Sequence, residues 1–258
     1  MDLGLDPELA RGYKSGSQIT KNVTEPWAEQ NMFCPACPSP RLTAYRPNRK
    51  VEDFYCPRCN RRTQVKAKRG KIGRTIANSA YAPKMAAIRS NRAPDYLFMA
   101  YDVNRWCVID MILVPGHFMT TSAVEKRAPL KATARRAGWV GSNILLERIP
   151  ASGKIKIVED EAPVEPRLVR DAFRKTAFVA QQRAEARGWL ADVMACIDRV
   201  VLRPGESFSL GDVYDFTDEL SRLHPANQNV RPKIRQQLQV LREHGRIQFE
   251  GRGRYRLR

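Results

Sequence analysis

Four of the six cysteines fall in two alike pairs, Cys34-Pro-Ala-Cys37 and Cys56-Pro-Arg-Cys59, spaced C-x2-C-x18-C-x2-C. Each pair can form a tight knuckle, and two knuckles close one tetrahedral S4 site, so residues 34–59 are expected to hold a structural Zn²⁺ with no coordination position left for catalysis. Around the second knuckle stand Asp53, Gln64 and Lys66. If residues 61–68 form a strand, its two-residue period puts Gln64 and Lys66 on one face and Thr63, Val65 and Ala67 on the other. An acid, a second oxygen ligand and a lysine on adjoining strands are the minimal set for metal-assisted phosphodiester hydrolysis. Asp53 and Gln64 would hold Mg²⁺, the ion would acidify a water, and the lysine would steady that water or the developing charge. Taken as spacing alone, D-x10-Q-x-K is a weak pattern that favours a basic surface strand.

The elements that must position these residues belong to a basic chain. Its 258 residues carry 45 Lys and Arg against 27 Asp and Glu, a formal charge of +18, which implies a polyanionic partner such as nucleic acid. The length suits about two domains. From Arg58 to Arg74 there are eight Lys or Arg and no acid, as suits a strand running beside a phosphate backbone. No secretory leader and no apolar run long enough to cross a membrane is present, so a cytoplasmic protein without a membrane partner is expected. In such a reducing setting paired cysteines point to metal rather than disulfides, while Cys107 and Cys196 read as buried thiols.

Residues 1–30 read as a helical lead-in. The stretch RTIANSAYAPKMAAIRSN turns helical, with Pro83 expected to kink or break it. DYLFMAYD (95–102) and CVIDMILVP (107–115) read as neighbouring strands, and HFMTTSAVEKR as a short helix. PLKATARRAGWVGSNILL reads as an ordered loop, KIKIV as a strand, EDEAPVEP as a surface turn, and 167–187 as a bridging helix. Beyond it the pattern changes. Leu190, Val193, Met194, Ile197 and Val201 line one helix face, Ser209 caps a second helix, and Ile234, Leu238 and Leu241 line a third. The ending RIQFEGRGRYRLR reads as a basic hairpin, which completes the order of a winged helix.

Five blocks carry a family resemblance: VEDFYCPRC, AYAPKM, APLKATARRAGWVGSNI, RGWLADVMACID and KIRQQLQVLREHGRIQFEGRGRYR. In this order the chain resembles the DpnI-like methyl-directed restriction endonucleases over essentially its whole length. The resemblance implies an α/β (α+β) PD-(D/E)xK restriction-endonuclease-like core with a structural zinc ribbon over residues 1–185, followed by a winged-helix DNA-binding domain over 186–258. It implies Mg²⁺-dependent cleavage of double-stranded DNA at G-N6-methyladenine-T-C, in the service of restricting adenine-methylated foreign DNA. Asp53, Gln64 and Lys66 would be the catalytic residues. Two positions depart from the family pattern: Gln64 stands where Glu is expected and Glu52–Asp53 where Pro-Asp is expected. Glutamine keeps one ligand oxygen and loses a charge, so Mg²⁺ should bind more weakly. The wider superfamily also contains QxK enzymes, so the change does not mark an inactive site.

For reading DNA, the polar face of the third C-terminal helix offers Arg235, Gln236, Gln239 and Arg242, which suit the major-groove edges of guanine and adenine. Arg252, Arg254 and Arg256 on the wing suit phosphates, within a final 28 residues holding nine Lys or Arg against two Glu. Trp139, with Arg135, Arg136 and Asn143 nearby, is the candidate contact for the adenine methyl, a core plug under a loop being its alternative. Trp189 reads as core. Two reading modules on one chain favour a monomer, although a palindromic site would also suit a dimer. The rival is a non-catalytic methyl-DNA reader or transcription regulator, against which the retention of Asp53 and Lys66 speaks. RNA is disfavoured because its major groove is too narrow for such a helix.

Overall fold

A computed structural model describes residues 1–46 and 52–258. Its centre is the aromatic-rich segment β5 (Asp95–Asp102), buried on both faces from Asp95 to Tyr101. The expected hairpin partner β6 (Cys107–Val114) pairs with it antiparallel, while the basic strand β3 (Arg62–Arg69) lies parallel on its other side. Around these three, β1 (Thr43–Ala44), β2 (Phe54–Tyr55), β9 (Ile155–Glu159) and β10 (Ala162–Pro163) complete a seven-stranded mixed sheet in the order β1-β2-β3-β5-β6-β9-β10.

Side chains alternate across this sheet and build two cores. Val65, Leu97, Met99, Met111 and Leu113 meet Trp27 and Ala28 of helix α1 (Gly16–Asn31) and Val169 and Phe173 of α3 (Pro166–Arg174). On the opposite face Tyr96, Phe98, Ile112 and Val114 meet α2 (Tyr81–Arg89) and a small antiparallel sheet. That sheet orders β4 (Thr75–Ala80), β8 (Gly141–Leu145) and β7 (Val124–Lys126) as β4-β8-β7.

Local expectations change at several points: Gly141–Leu145, which reads as ordered loop, extends as β8 against β4 and β7, and Ala162–Pro163, which reads as a surface turn, pairs with β9. Residues 75–80 extend as β4 rather than joining the helix, and Pro83 falls in the first turn of α2, where its missing N–H has no intrahelical acceptor to disappoint. Residues 116–126 form a short 3₁₀ turn and β7 instead of a helix, because Val124–Lys126 finds a partner edge in β8. The expected 167–187 helix stops at Arg174 and resumes as α4 (Ala177–Ala180). There the Thr176 hydroxyl bonds the Phe173 carbonyl at 2.7 Å and His117 Nε2 at 2.8 Å, turning the chain inward.

The C-terminal part comprises α5 (Ala184–Val200), β11 (Ser207–Ser209), α6 (Leu210–Tyr214), α7 (Thr217–Leu223), α8 (Val230–Glu243), β12 (Ile247–Gly251) and β13 (Arg254–Leu257). Ser209 caps α6 as expected, in a reciprocal capping box with Asp212. Strand β13 lies between β11 and β12, so the basic hairpin forms the predicted wing beside α8. Trp189, Leu190 and Val193 of α5 share the core that holds Tyr96 and Phe118, so the C-terminal helices pack directly onto one sheet face. Buried Asp192 of α5 fastens this junction by accepting hydrogen bonds from Ser122 (2.7 Å) and His224 Nε2 (2.8 Å).

Candidate functional site

The segment 53–66 is a hairpin with a cluster at each end. At its tip, Cys56 accepts from Asn60 N–H at 2.9 Å and donates to Arg61 O at 2.8 Å. Asn60 takes the left-handed conformation (φ 56°) that Asn tolerates better than most residues. This turn brings Cys56 and Cys59 to Cys34 and Cys37, and all four Sγ atoms lie within 4.8 Å of one another. The Cys34–Cys59 and Cys37–Cys56 separations, 3.6 and 3.5 Å, match the edge of roughly 3.8 Å that four Zn–S bonds of about 2.3 Å require. Burial opposes ionisation of Cys56, but the amides of Cys59 and Arg58 aimed at its sulfur bring the thiol down to about 6. From α3, Arg170 donates to Cys34 O and Cys37 O, both at 3.0 Å, and clamps the first knuckle onto the sheet.

At the other end, strand pairing brings together the three residues singled out from the sequence. Asp53 N–H bonds Thr63 O at 3.0 Å, and Asp53 Oδ2 accepts from Val65 N–H at 2.8 Å, which fixes its carboxylate beside Gln64. Gln64 is 2 % exposed, and its Oε1 is buried without a hydrogen-bond partner. Such an orphan acceptor is uncommon and is what a ligand oxygen awaiting a cation looks like. Lys66 projects from the same strand face, half-buried. Glu52 is engaged by Arg62. An oxygen pair of one carboxylate and one amide suits a hard cation such as Mg²⁺.

Two more residues lie within electrostatic reach of Asp53 and Lys66, and sequence reading passed over both. Glu25 of α1 has its carboxyl raised above the usual range by burial first, and further by the charge of Asp53, with Lys21 and Lys66 opposing. It stands inside what read only as a lead-in helix. Lys84 of α2 is 1 % exposed, donates to Tyr96 Oη at 2.8 Å and lies 4.4 Å from that ring's centre. Burial, then the charge of Lys66, pulls it down to about 7 while Asp53 pulls the other way. Both depend on helix packing over a distance in sequence, which no local motif announces.

The residues expected to touch DNA separate into two surfaces. Arg235, Gln236, Gln239 and Arg242 are all exposed on α8, Gln239 donating to Glu243 at 2.9 Å, and Arg252 and Arg254 are exposed on the wing. In the first module, Arg135 and Arg136 are exposed. Trp139 lies half-buried over Gly141, where any Cβ would sit 2.7 Å from its ring, with the Arg136 guanidinium 5.0 Å above it. Asn143 lies within β8 and its amide donates to Glu125 at 2.7 Å. A cleft of about 1270 Å³, lined by Lys71, Arg74, Lys156, Arg199 and Arg222 among others, opens between the sheet and α5 and α7. None of the predicted catalytic residues lines it. It nevertheless shares their sheet face, because Lys66, Phe98, Ile112 and Lys156 are successive register partners across β3, β5, β6 and β9.

Comparison with known families gives two matches. Residues 1–182 match the model described as DpnI, Dam-replacing family, and residues 185–257 match the one described as the Dam-replacing HTH domain. No helix among the described residues is long and apolar enough to cross a membrane.

Proposed function

Since the chain belongs to the DpnI Dam-replacing family, we propose that it is a methyl-directed endonuclease that hydrolyses both strands of DNA at G-N6-methyladenine-T-C. The observation that carries the reading is the convergence, on one hairpin, of a fixed carboxylate, a buried orphan oxygen and a lysine at Asp53, Gln64 and Lys66. This is the ligand arrangement of a PD-(D/E)xK centre, with residues 1–185 as the nuclease unit and 186–258 as the winged-helix unit.

Asp53 and Gln64 are the groups that would hold Mg²⁺, which when bound acidifies a water and screens the phosphate. Lys66 orients that water for attack on phosphorus. The bond from phosphorus to the 3′ oxygen breaks, leaving a 5′-phosphate, and the 3′ oxygen departs as a hydroxyl. Because Gln64 contributes no charge, the enzyme requires more Mg²⁺ than a carboxylate pair would. The four cysteines would hold a structural Zn²⁺ that keeps the hairpin in shape, outside the reaction.

Recognition is divided. Arg235, Gln236, Gln239 and Arg242 present the donors and acceptors that guanine and adenine edges require, while Arg252 and Arg254 hold phosphates. In the nuclease unit Trp139, flanked by Arg135 and Arg136, is an amphipathic plate suited to the adenine methyl; Asn143, engaged by Glu125, supports that loop from below. Two readers on one chain let a monomer act in the cytoplasm.

The test is digestion of one plasmid prepared with and without GATC adenine methylation, across Mg²⁺ and Mn²⁺ concentrations. Fragments at GATC from the methylated plasmid alone are expected. Binding that depends on methylation without any cutting would instead make the chain a reader or regulator.

A further inference from the structure

We propose that Lys84 is a further member of the catalytic centre, a buried ammonium that supplies the positive charge a second divalent ion would otherwise provide. The inference rests on the nuclease reading above and concerns a residue outside its three-residue motif.

The placement is specific. Gln64 of β3 and Tyr96 of β5 are register partners, and Lys84 reaches over from α2 to hold Tyr96 by both its hydroxyl and its ring. Among the described residues no carboxylate forms an ion pair with it. A lysine so enclosed destabilises the fold, and a leucine or methionine would fill the space without that penalty. The charges that act on it are Asp53 and Lys66, the two ends of the proposed centre. A phosphodiester bound between those residues would give Lys84 the anion that the protein alone does not.

The charge count explains why it accompanies Gln64. A carboxylate with a divalent ion sums to a single positive charge, and a neutral amide with Lys84, held protonated by the bound phosphodiester, sums to the same. Gln64 with Lys84 therefore presents the phosphate with the field of a two-metal site while holding one metal fewer. A glutamate at position 64 with Lys84 retained would form a buried ion pair and be drawn away from the metal.

The experiment uses the full chain as wild type and as Asp53→Ala, Lys84→Met, Lys84→Arg, Gln64→Glu and the Gln64→Glu/Lys84→Met double variant. Three readouts are taken: Tm, Mn²⁺ binding by electron paramagnetic resonance, and cleavage of methylated GATC DNA. Lys84→Met should raise Tm while lowering kcat by roughly a hundredfold at unchanged KM, the size of losing one preorganised charge, with Lys84→Arg partly active. Wild type should bind about one Mn²⁺ that Asp53→Ala abolishes; the double variant should bind about two and regain cleavage, which Gln64→Glu alone does not improve. Lys84→Met cleaving like wild type, or wild type binding two Asp53-dependent Mn²⁺, would overturn the proposal. Wild type failing to cut methylated DNA at all would overturn the nuclease reading beneath it, a result separable from any behaviour of Lys84.

Discussion

The two ends of the 53–66 hairpin are built on opposite principles. At the tip, four like ligands face one another, backbone amides and carbonyls around them are paired, and Arg170 fastens the knuckle from outside. At the base, three unlike residues leave an acceptor unpaired at Gln64, and a buried lysine with no carboxylate partner among the described residues stands nearby. A closed site satisfies its own chemistry and contributes stability. An open one leaves its groups unsatisfied until a cation and a phosphate arrive, and so detracts from stability.

That contrast predicts how the molecule breaks. The largest effect should come from Cys56→Ser or chelation: structural zinc contributes on the order of 10 kcal/mol to small sites, so the hairpin should lose its order and Tm fall by more than about 10 °C. Zinc content and a thermal melt on one sample check this. Next, Asp53→Ala should reduce cleavage by roughly a thousandfold while Tm stays within a few degrees or rises. Smaller again is Arg235→Ala on α8, expected to weaken specific binding by about 1–3 kcal/mol and relax preference at one base pair. Arg252→Ala should instead weaken all sequences alike and reduce the salt slope by about one, read from binding isotherms at several salt concentrations.

A pH prediction concerns the scaffold behind the hairpin. His117 is held down to about 3 by burial, with the cations Arg61 and Arg187 adding to it. Thr176 spends its hydroxyl hydrogen on Phe173 O, so His117 Nε2–H is the donor in their bond. The unfolded chain takes up this proton near pH 6.5 and the folded one does not, so stability falls as pH drops from about 6.5 toward 3. Urea unfolding of wild type and His117→Phe at pH 5 and 7 should show the smaller loss in the variant.

What the sequence made legible follows the same divide. The cysteine site could be read because its ligands are local and of one kind, and β3, β5 and β6 because their patterns are set by burial. The wing followed from helix periodicity and a terminal glycine turn. Glu25 and Lys84 were not legible, since each reaches the centre from a helix whose neighbours lie far along the chain. Nor was β7, whose three residues become a strand only because β8 offers an edge. The large cleft escaped for a similar reason: it exists only once α5 and α7 are laid over the sheet.

The proposed division of one hairpin into a closed structural end and an open catalytic end is tested most directly by a single preparation of Asp53→Ala, assayed for zinc content and for cleavage of GATC-methylated DNA. The account predicts about one zinc per chain, as in wild type, with cleavage abolished. Zinc lost together with activity would make the two ends one site, and undiminished cleavage would place the chemistry elsewhere.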